Sequence, residues 1–527
     1  MSTITTASPI APLLTADGYK SSHFKIWPKG TSRVLINWTN RNSKYLDDVT
    51  HAVVFGLQAW AQSYLVEMWA PFFAADVDEI IGEYGELLDM YFGEGNGIGT
   101  DHIRKLHNLG YLPLHVRGLP EGTLAPIGIA TVTIENTHPD FYWLPNYVET
   151  SLSAGTWHPS TVATIALQYR ELMEEWAKKT DVAGLPGVDY QAHDFSFRGQ
   201  QHIEAAAAAG AGHLLSFLGT DTMLSFDFVR RYYAGNNGRV GASVPATEHS
   251  VMTVRGPQGE LETFNTILDT FPTGIVSAVS DGYDLFKVLT ETLPKLKERI
   301  MARDGKLVIR PDSGDPVDIL CGQLPETHGG WNTGEEQHFA DIAAGRAEDD
   351  RTPEQKGVIE ILWDLFGGTV NEQGYKVLDS HIGAIYGDSI TLDRARRIFE
   401  RLAAKGFAST NVVLGIGSFT YVHITRDSLG SAVKSTWAEV NGESVDIQKD
   451  PKTAGAFSKK SAKGRIAIVR DADGELIQLE QASAIDERDS LLTSVWIDGE
   501  FVRYDSFADV RNRLREERAA LAERRAA

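Results

Sequence analysis

Ile309-Arg310-Pro311-Asp312-Ser313-Gly314 closes a short β-rich run with charge, proline and glycine, and the fold turns on how that ending is read. Working outward, short β-rich runs alternate with helical stretches from about residue 187. Other runs end in the same way, at His193-Asp194-Phe195, Ser280-Asp281, Gly387-Asp388-Ser389 and Gly415-Ile416-Gly417-Ser418. The alternation predicts an α/β fold with a parallel sheet. In α/β barrels and open parallel sheets, ligands bind at the carboxyl ends of strands, so these endings predict one shared site.

The flanks read differently. Leu57, Trp60, Ala61, Tyr64 and Met68 mark one amphipathic helix; Ile165, Tyr169, Leu172, Met173 and Trp176 mark another, which begins after Pro159-Ser160. Between them, Pro113-Leu114-His115-Val116 and Ala130-Thr131-Val132-Thr133-Ile134 alternate as half-buried strands. Gln201 to His213, with alanines 205 to 209, predicts a closely packed helix. Residues 326–356 are polar, acidic and Gly-rich, which predicts a surface insertion or mobile loop. Strand-like alternation returns from Ala432 to Trp496, and Asp498-Gly499 predicts a hairpin before Phe501-Val502. Phe507, Val510, Leu514 and Leu521 line a charged terminal helix.

Composition narrows the function. The chain has 527 residues, 42% hydrophobic and 23% charged, and a formal charge of -21 from 50 Lys and Arg against 71 Asp and Glu. Nucleic acid and an anionic membrane are therefore not expected partners, and an anionic substrate needs a local basic pocket. Cys321 is the single cysteine, so no internal disulfide forms, as suits a reducing cytosol. Met1 to Pro12 has no basic residue and no sustained apolar stretch, and no run of eighteen apolar residues occurs, so a cytoplasmic protein is expected. Walker A, HExxH, paired CxxC and nucleophile-elbow patterns are absent. The glycines at 93, 95, 97 and 99 follow helical sequence with the wrong spacing for a dinucleotide fingerprint and predict a flexible turn. The acidic pair of the commonest phosphoribosyltransferase class is also missing, so sugar-phosphate chemistry here needs another scaffold.

Several stretches, in order and spacing, resemble the nicotinamide phosphoribosyltransferase family of type II phosphoribosyltransferases. They are Thr15-Ala16-Asp17-Gly18-Tyr19-Lys20, His193 to Gly199, Gly219-Thr220-Asp221-Thr222, Ser243-Val244-Pro245-Ala246-Thr247-Glu248-His249-Ser250, Ser280-Asp281, Ile309 to Gly314, Gly387-Asp388 and Thr425-Arg426-Asp427. The resemblance runs nearly end to end, except over 326–356. It implies an irregular (β/α) barrel over 156–424 and a second, mixed α+β domain built from 1–155 and 425–527. The implied reaction joins nicotinamide to 5-phosphoribosyl 1-pyrophosphate with Mg²⁺, giving nicotinamide mononucleotide and pyrophosphate in NAD salvage. A nicotinate-specific enzyme and a non-catalytic binding protein of the same fold are the alternatives.

The same resemblance assigns roles. Phe195 and Tyr19 sandwich the pyridine ring, with Tyr19 supplied by the partner of a homodimer. Asp221 accepts from the carboxamide NH₂ and repels a carboxylate, which favours nicotinamide over nicotinate; read by itself it also fits a helix N-cap. Arg198, Arg310, Arg426 and Lys434 clamp phosphate and pyrophosphate, the last two from across the dimer. Asp281 and Asp312 bind ribose hydroxyls or hold Mg²⁺, directly or through water. Ser277 joins the substrate-binding set. Gly387, Asp388 and Gly417 let backbone approach the ribose and its 5′-phosphate, and Ser418 stands where vertebrate members have glycine. His249 matches a histidine phosphorylated by ATP, with Glu248 beside it to orient the ring or place metal.

Overall fold

The two textures of the sequence build two different sheets, both seen in the computed structural model, which describes residues 8–323, 341–342, 347–387, 389–449 and 461–526. The chain divides into two compact units: Met1–Thr164 with Ser225–Gly238 and Ile424–Ala527, and Ile165–Leu224 with Arg239–His423.

In the first unit, seven antiparallel strands pair in the order Glu443–Asp446, Ser431–Val440, Thr31–Asn40, Ala130–Asn136, Leu114–Gly118, Thr493–Ile497 and Glu500–Phe501. The strands expected around 114–116 and 130–134 are adjacent, with Val116 opposite Ile134. The hairpin at Asp498-Gly499 forms as its dipeptide requires: both residues have positive φ, 49° and 98°, the twist of a primed turn. Ile36, Trp38, Val116 and Ile134 bury one sheet face against Leu57, Trp60 and Trp69.

Two helices differ from their sequence reading. The first is α-helical over Leu57–Trp60 and π-helical over Ala61–Glu67. Its wider turn puts Leu65 and Trp69 in the core and leaves Tyr64 and Met68 half-buried, so the 3.6-residue period expected from the sequence drifts out of phase. The second does not begin after Pro159. It runs Leu144–Thr180 with Pro159 inside. Proline removes only one backbone donor, and the packing of both flanks outweighs that loss. Nearby Gly155 admits the Trp60 ring, since a Cβ there would lie 2.9 Å from Trp60 Cδ1. The predicted terminal helix forms as Phe507–Ala526 and buries Phe507, Val510, Leu514 and Leu521.

The second unit holds six parallel strands: β1 (Ala192–Asp194), β2 (Gly219–Thr220), β3 (Thr273–Val279), β4 (Asp304–Arg310), β5 (Ile382–Tyr386) and β6 (Val412–Ile416). Their order is β2-β1-β6-β5-β4-β3. β5 is buried along its whole length, as expected where both faces of a parallel strand are covered. The sheet curls. Ala242 bridges Gly219 at one edge, while Ala246 bridges Ser277 at the other, so one short segment touches both edges and completes an irregular barrel. All five polar run ends fall at carboxyl ends of these strands.

Most of 326–356 and all of Asp388 lie outside the described residues. Within 347–356, Arg351 pairs with Asp349 at 2.9 Å and Glu360 at 2.5 Å, ahead of a short helix Pro353–Lys356. Among the described residues no helix is long and apolar enough to cross a membrane.

Candidate active site

The strand ends of the second unit open into a cavity of about 590 Å³ lined by Asp194, Phe195, Phe197, Arg198, Asp221, Thr222, Arg310, Asp312, Gly387, Gly417 and Ser418. The end of β4 supplies one of its two arginines. Arg310 places its guanidinium 4.6 Å from the centroid of Phe195, covering one face of that ring, and lies 3.7 Å from Asp312 Oδ1. Two glycines make room for this group. A Cβ on Gly387 would fall 2.1 Å from Asp312 Oδ1, and one on Gly415 would fall 2.6 Å from Phe195 Cδ2. Glycine at these strand ends is thus a matter of close approach.

Asp221 follows β2 and faces the same cavity. Its Oδ1 accepts from Ser243 Oγ at 2.6 Å and meets His193 Nε2 at 2.9 Å. Burial pushes its pKa up, but hydrogen bonding to His193, the charge of that ring, Ser243 and the Arg310 charge outweigh burial and hold it below the ordinary carboxylate value. The N-cap reading of Asp221 does not hold, because the helix that follows begins at Leu224 and its cap position is Met223.

Beneath these groups, Asp194 is fully buried. Its Oδ1 accepts from Ser196 N–H at 2.9 Å, its Oδ2 from Thr220 Oγ1 at 3.4 Å, and its carbonyl from Asp221 N–H at 3.0 Å. One carboxylate therefore ties the loop carrying Phe195 and Arg198 to the turn carrying Asp221. Ser418 holds the same loop from the other side by donating to Ser196 O at 3.4 Å. Its contact with Gly199 leaves no room for a side chain there, since a Cβ would lie 1.8 Å from Ser418 Oγ.

His249 opens the short helix His249–Thr253 and is half exposed; its Nε2 lies 3.3 Å from Oδ1 of buried Asp281. Glu248 takes no part in that contact and accepts from Ser250 Oγ. Asp281 Oδ2 accepts from Asp312 N–H at 3.0 Å, which sets the carboxylate of one proposed metal residue against the backbone of the other. Asp281 Oδ1 is buried without a hydrogen-bond donor. Among the described residues there is no group of three or more His, Cys, Asp and Glu side chains suited to a metal. The Asp281 and Asp312 carboxylates, on residues joined by that hydrogen bond, are nevertheless oxygen ligands of the kind Mg²⁺ takes, since it keeps several waters and substrate oxygens as its other ligands. Ser277 sits on β3, where its N–H donates to Pro245 O at 2.9 Å and its O accepts from Thr247 N–H at 3.0 Å, so its backbone seats the segment before His249. Its Oγ is buried without a partner.

Tyr19, Arg426 and Lys434 belong to the first unit and do not line this cavity. Tyr19 is 58% exposed on the 3₁₀-helix Gly18–Lys25. Lys434 sits on strand Ser431–Val440 opposite Asn37. Burial lowers its pKa, Glu149 opposes that, and Arg41, Lys449 and Arg426 lower it further. Four cations thus gather on this unit. Arg41 and Lys449 escaped the sequence reading; His193 and Ser243 open two of the quoted stretches of the second unit, but no sequence signal assigned them a role or marked their partner.

The profile of the nicotinate phosphoribosyltransferase (NAPRTase) family matches residues 190–490, and that of the nicotinamide phosphoribosyltransferase N-terminal domain matches 11–80. The chain is 43% identical over 520 residues to nicotinamide phosphoribosyltransferase of Acinetobacter baylyi, covering 96% of this chain and 98% of the relative. It is 32% identical over 509 residues to the protein of the same name from Xanthomonas campestris pv. campestris, covering 95% and 97%. Among solved structures, human nicotinic acid phosphoribosyltransferase matches with a TM-score of 0.52 at 15% identity over 96% of this chain and 93% of that one, a likeness of fold. Nicotinate-nucleotide pyrophosphorylase from Pyrococcus furiosus matches with a TM-score of 0.53 at 14% identity over 99% of both. With its strand-end cavity built from the family's matched segment, the chain belongs to the NAPRTase family of phosphoribosyltransferases, on the branch of the nicotinamide phosphoribosyltransferases.

Proposed function

We propose that this enzyme transfers the 5-phosphoribosyl group of 5-phosphoribosyl 1-pyrophosphate to nicotinamide, forming nicotinamide mononucleotide and pyrophosphate in NAD salvage. The observation that carries the choice of base is Asp221, an ionised carboxylate at the cavity whose Oδ1 is already occupied by His193 and Ser243. Its Oδ2 is the acceptor for a carboxamide N–H, whereas a nicotinate carboxylate meets like charge.

The reaction breaks the anomeric C–O bond, whose electron pair leaves with pyrophosphate, and forms a C–N bond with the lone pair of the pyridine nitrogen. Positive charge develops on the ribose ring between these events. Arg310 and Arg198 draw the leaving oxygens, Asp312 faces the developing cation, and the Phe195 ring, held by Arg310 and the neighbouring His193 ring, is the one we assign to stack the base. Mg²⁺ at Asp281 and Asp312 would neutralise pyrophosphate charge as the bond breaks. No covalent enzyme nucleophile is needed for transfer. His249, beside Asp281, is the group we assign to accept the γ-phosphoryl of ATP: a ring nitrogen forms a bond to phosphorus as the bond to ADP breaks.

The cavity lining sets two arginines against three aspartates, too little positive charge for a pyrophosphate and a 5′-phosphate. The cation cluster of the first unit supports a homodimer in which Arg426, Lys434 and Tyr19 of one protomer complete the site of its partner. A cytoplasmic location suits these soluble phosphorylated substrates.

The test is direct. Purified protein, 5-phosphoribosyl 1-pyrophosphate, Mg²⁺ and either base are mixed with and without ATP, and mononucleotide is followed by chromatography. Nicotinamide mononucleotide should form; a preference for nicotinate defeats the base assignment. Acid-labile phosphate should appear on wild-type protein and vanish in His249→Ala, and no label on wild type defeats the coupling while leaving transfer intact.

A further inference from the structure

His213 ends helix Ile203–His213 behind the cavity and is fully buried. Its Nε2 lies 3.0 Å from the carbonyl oxygen of Gly219, which only accepts, so Nε2 carries the proton and donates. Nδ1 then holds the lone pair and accepts from the hydroxyl of Tyr421 at 2.7 Å. Burial holds the pKa of His213 down to about 4, which keeps the ring neutral and its tautomer unchanged near neutral pH. The two ends of this chain of bonds lead to two separate segments of the cavity lining. Gly219 lies two residues before Asp221, and Asp194 pairs with the same β2 turn. Tyr421 lies in helix Ser418–Val422, whose first residue lines the cavity next to Gly417.

We infer that His213 and Tyr421 are positioning residues that lock the base-selecting turn at Asp221 to the phosphate-side turn at Gly417-Ser418, so that base and sugar phosphate are presented in one register. Neither residue lines the cavity. The bonds join strand β2 to a helix about two hundred residues later in the chain, a span that no local structure fixes. The inference rests on the function proposed above, which names what each turn binds.

Steady-state kinetics of Tyr421→Phe, His213→Gln and His213→Leu test it, with thermal midpoints measured alongside. Removing one buried hydroxyl bond costs about 1 kcal/mol, so Tyr421→Phe should lower kcat about fivefold through loss of register, with KM for nicotinamide and for 5-phosphoribosyl 1-pyrophosphate each within about twofold. His213→Gln keeps an N–H for Gly219 and an oxygen for Tyr421, and should stay near wild type. His213→Leu keeps neither and should exceed Tyr421→Phe; if it does not fold, Tyr421→Phe decides. A lowered melting temperature with kcat unmoved overturns the inference, as does a rise in one KM alone. A wild type inactive with either base overturns the proposed function and this inference with it, whereas an active wild type with unchanged variants overturns the inference alone.

Discussion

Two charged regions of this molecule differ in how their charges are answered. In the cavity of the second unit Arg310 lies near Asp312, and Arg198 shares the lining with Asp194 and Asp221. On the first unit Lys434 is crowded by Arg41, Lys449 and Arg426, with Glu149 opposing, and burial and repulsion together lower its pKa. The first region is nearly neutral and geometrically committed. The second carries more positive charge than Glu149 and the Asp427 partner of Arg426 offset, and an anion would relieve the excess. In the proposed reaction the first region receives the base, the ribose and the departing oxygens, and the second adds cations for the remaining phosphate charge.

The largest expected effect is at the committed region. Arg310→Ala should lower kcat/KM about a thousandfold, the scale of losing a charge-stabilising donor together with the group that covers Phe195. An Arg310→Ala enzyme of near wild-type activity would mean that the cavity does not bear the leaving group.

Lys434→Ala should lower kcat/KM for 5-phosphoribosyl 1-pyrophosphate about a hundredfold, and Asp221→Ala should raise KM for nicotinamide about thirtyfold, as for lost hydrogen bonds to charged groups. Mixing the two variants after co-refolding sharpens the contrast. If the sites are shared, heterodimers contain one site bearing both lesions and one free of both, and about a quarter of wild-type sites return. Unmixed and mixed activities that simply average would place both regions in the service of one protomer.

Next in size is the Ser418 contact. Gly199→Ala should raise KM for 5-phosphoribosyl 1-pyrophosphate about tenfold by displacing the Arg198 loop, because the new Cβ overlaps Ser418, and Ser418→Gly in the same chain should recover most of the loss. No recovery would show that Gly199 matters for another reason.

The smallest effect is in the pH dependence. The folded-state pKa of Asp221 is held below its ordinary value, so its carboxylate form persists as pH falls and is lost only through that lowered value. KM for nicotinamide should therefore stay flat through mild acid. His193→Ala removes the strongest of the influences that lower it, so the acid rise in KM should move to higher pH. An unmoved profile would assign the ionisation to Ser243 and Arg310 instead.

How much of this was legible in the sequence depends on distance along the chain. Strand ends such as Arg310-Pro311-Asp312 and Gly415-Ile416-Gly417 were readable because apolar runs and the small or polar residues that stop them are neighbours. The hairpin at Asp498-Gly499 was readable for the same reason, its turn chemistry being contained in two residues. Leu65 and Trp69 were not assigned to the core because a π-helical turn shifts the buried face, and the helix start at Leu144 was missed because Pro159 overstates its own breaking power. The clasp of Asp194 on Ser196 and Thr220 was out of reach, as was the pairing of His249 with Asp281 in preference to Glu248.

The residue types that meet at the cavity follow from the sequence, because periodicity, turn chemistry and charge act over a few residues and place Arg310, Asp312 and Phe195 at or beside strand ends, while Asp221 was marked only by the family resemblance. Which atoms of those residues remain open to substrate is a tertiary result. The occupied Oδ1 of Asp221 depends on His193 and Ser243, and the covered face of Phe195 depends on Arg310. Such contacts join segments 22 and more residues apart and exist only once the curled sheet has brought its strand ends together.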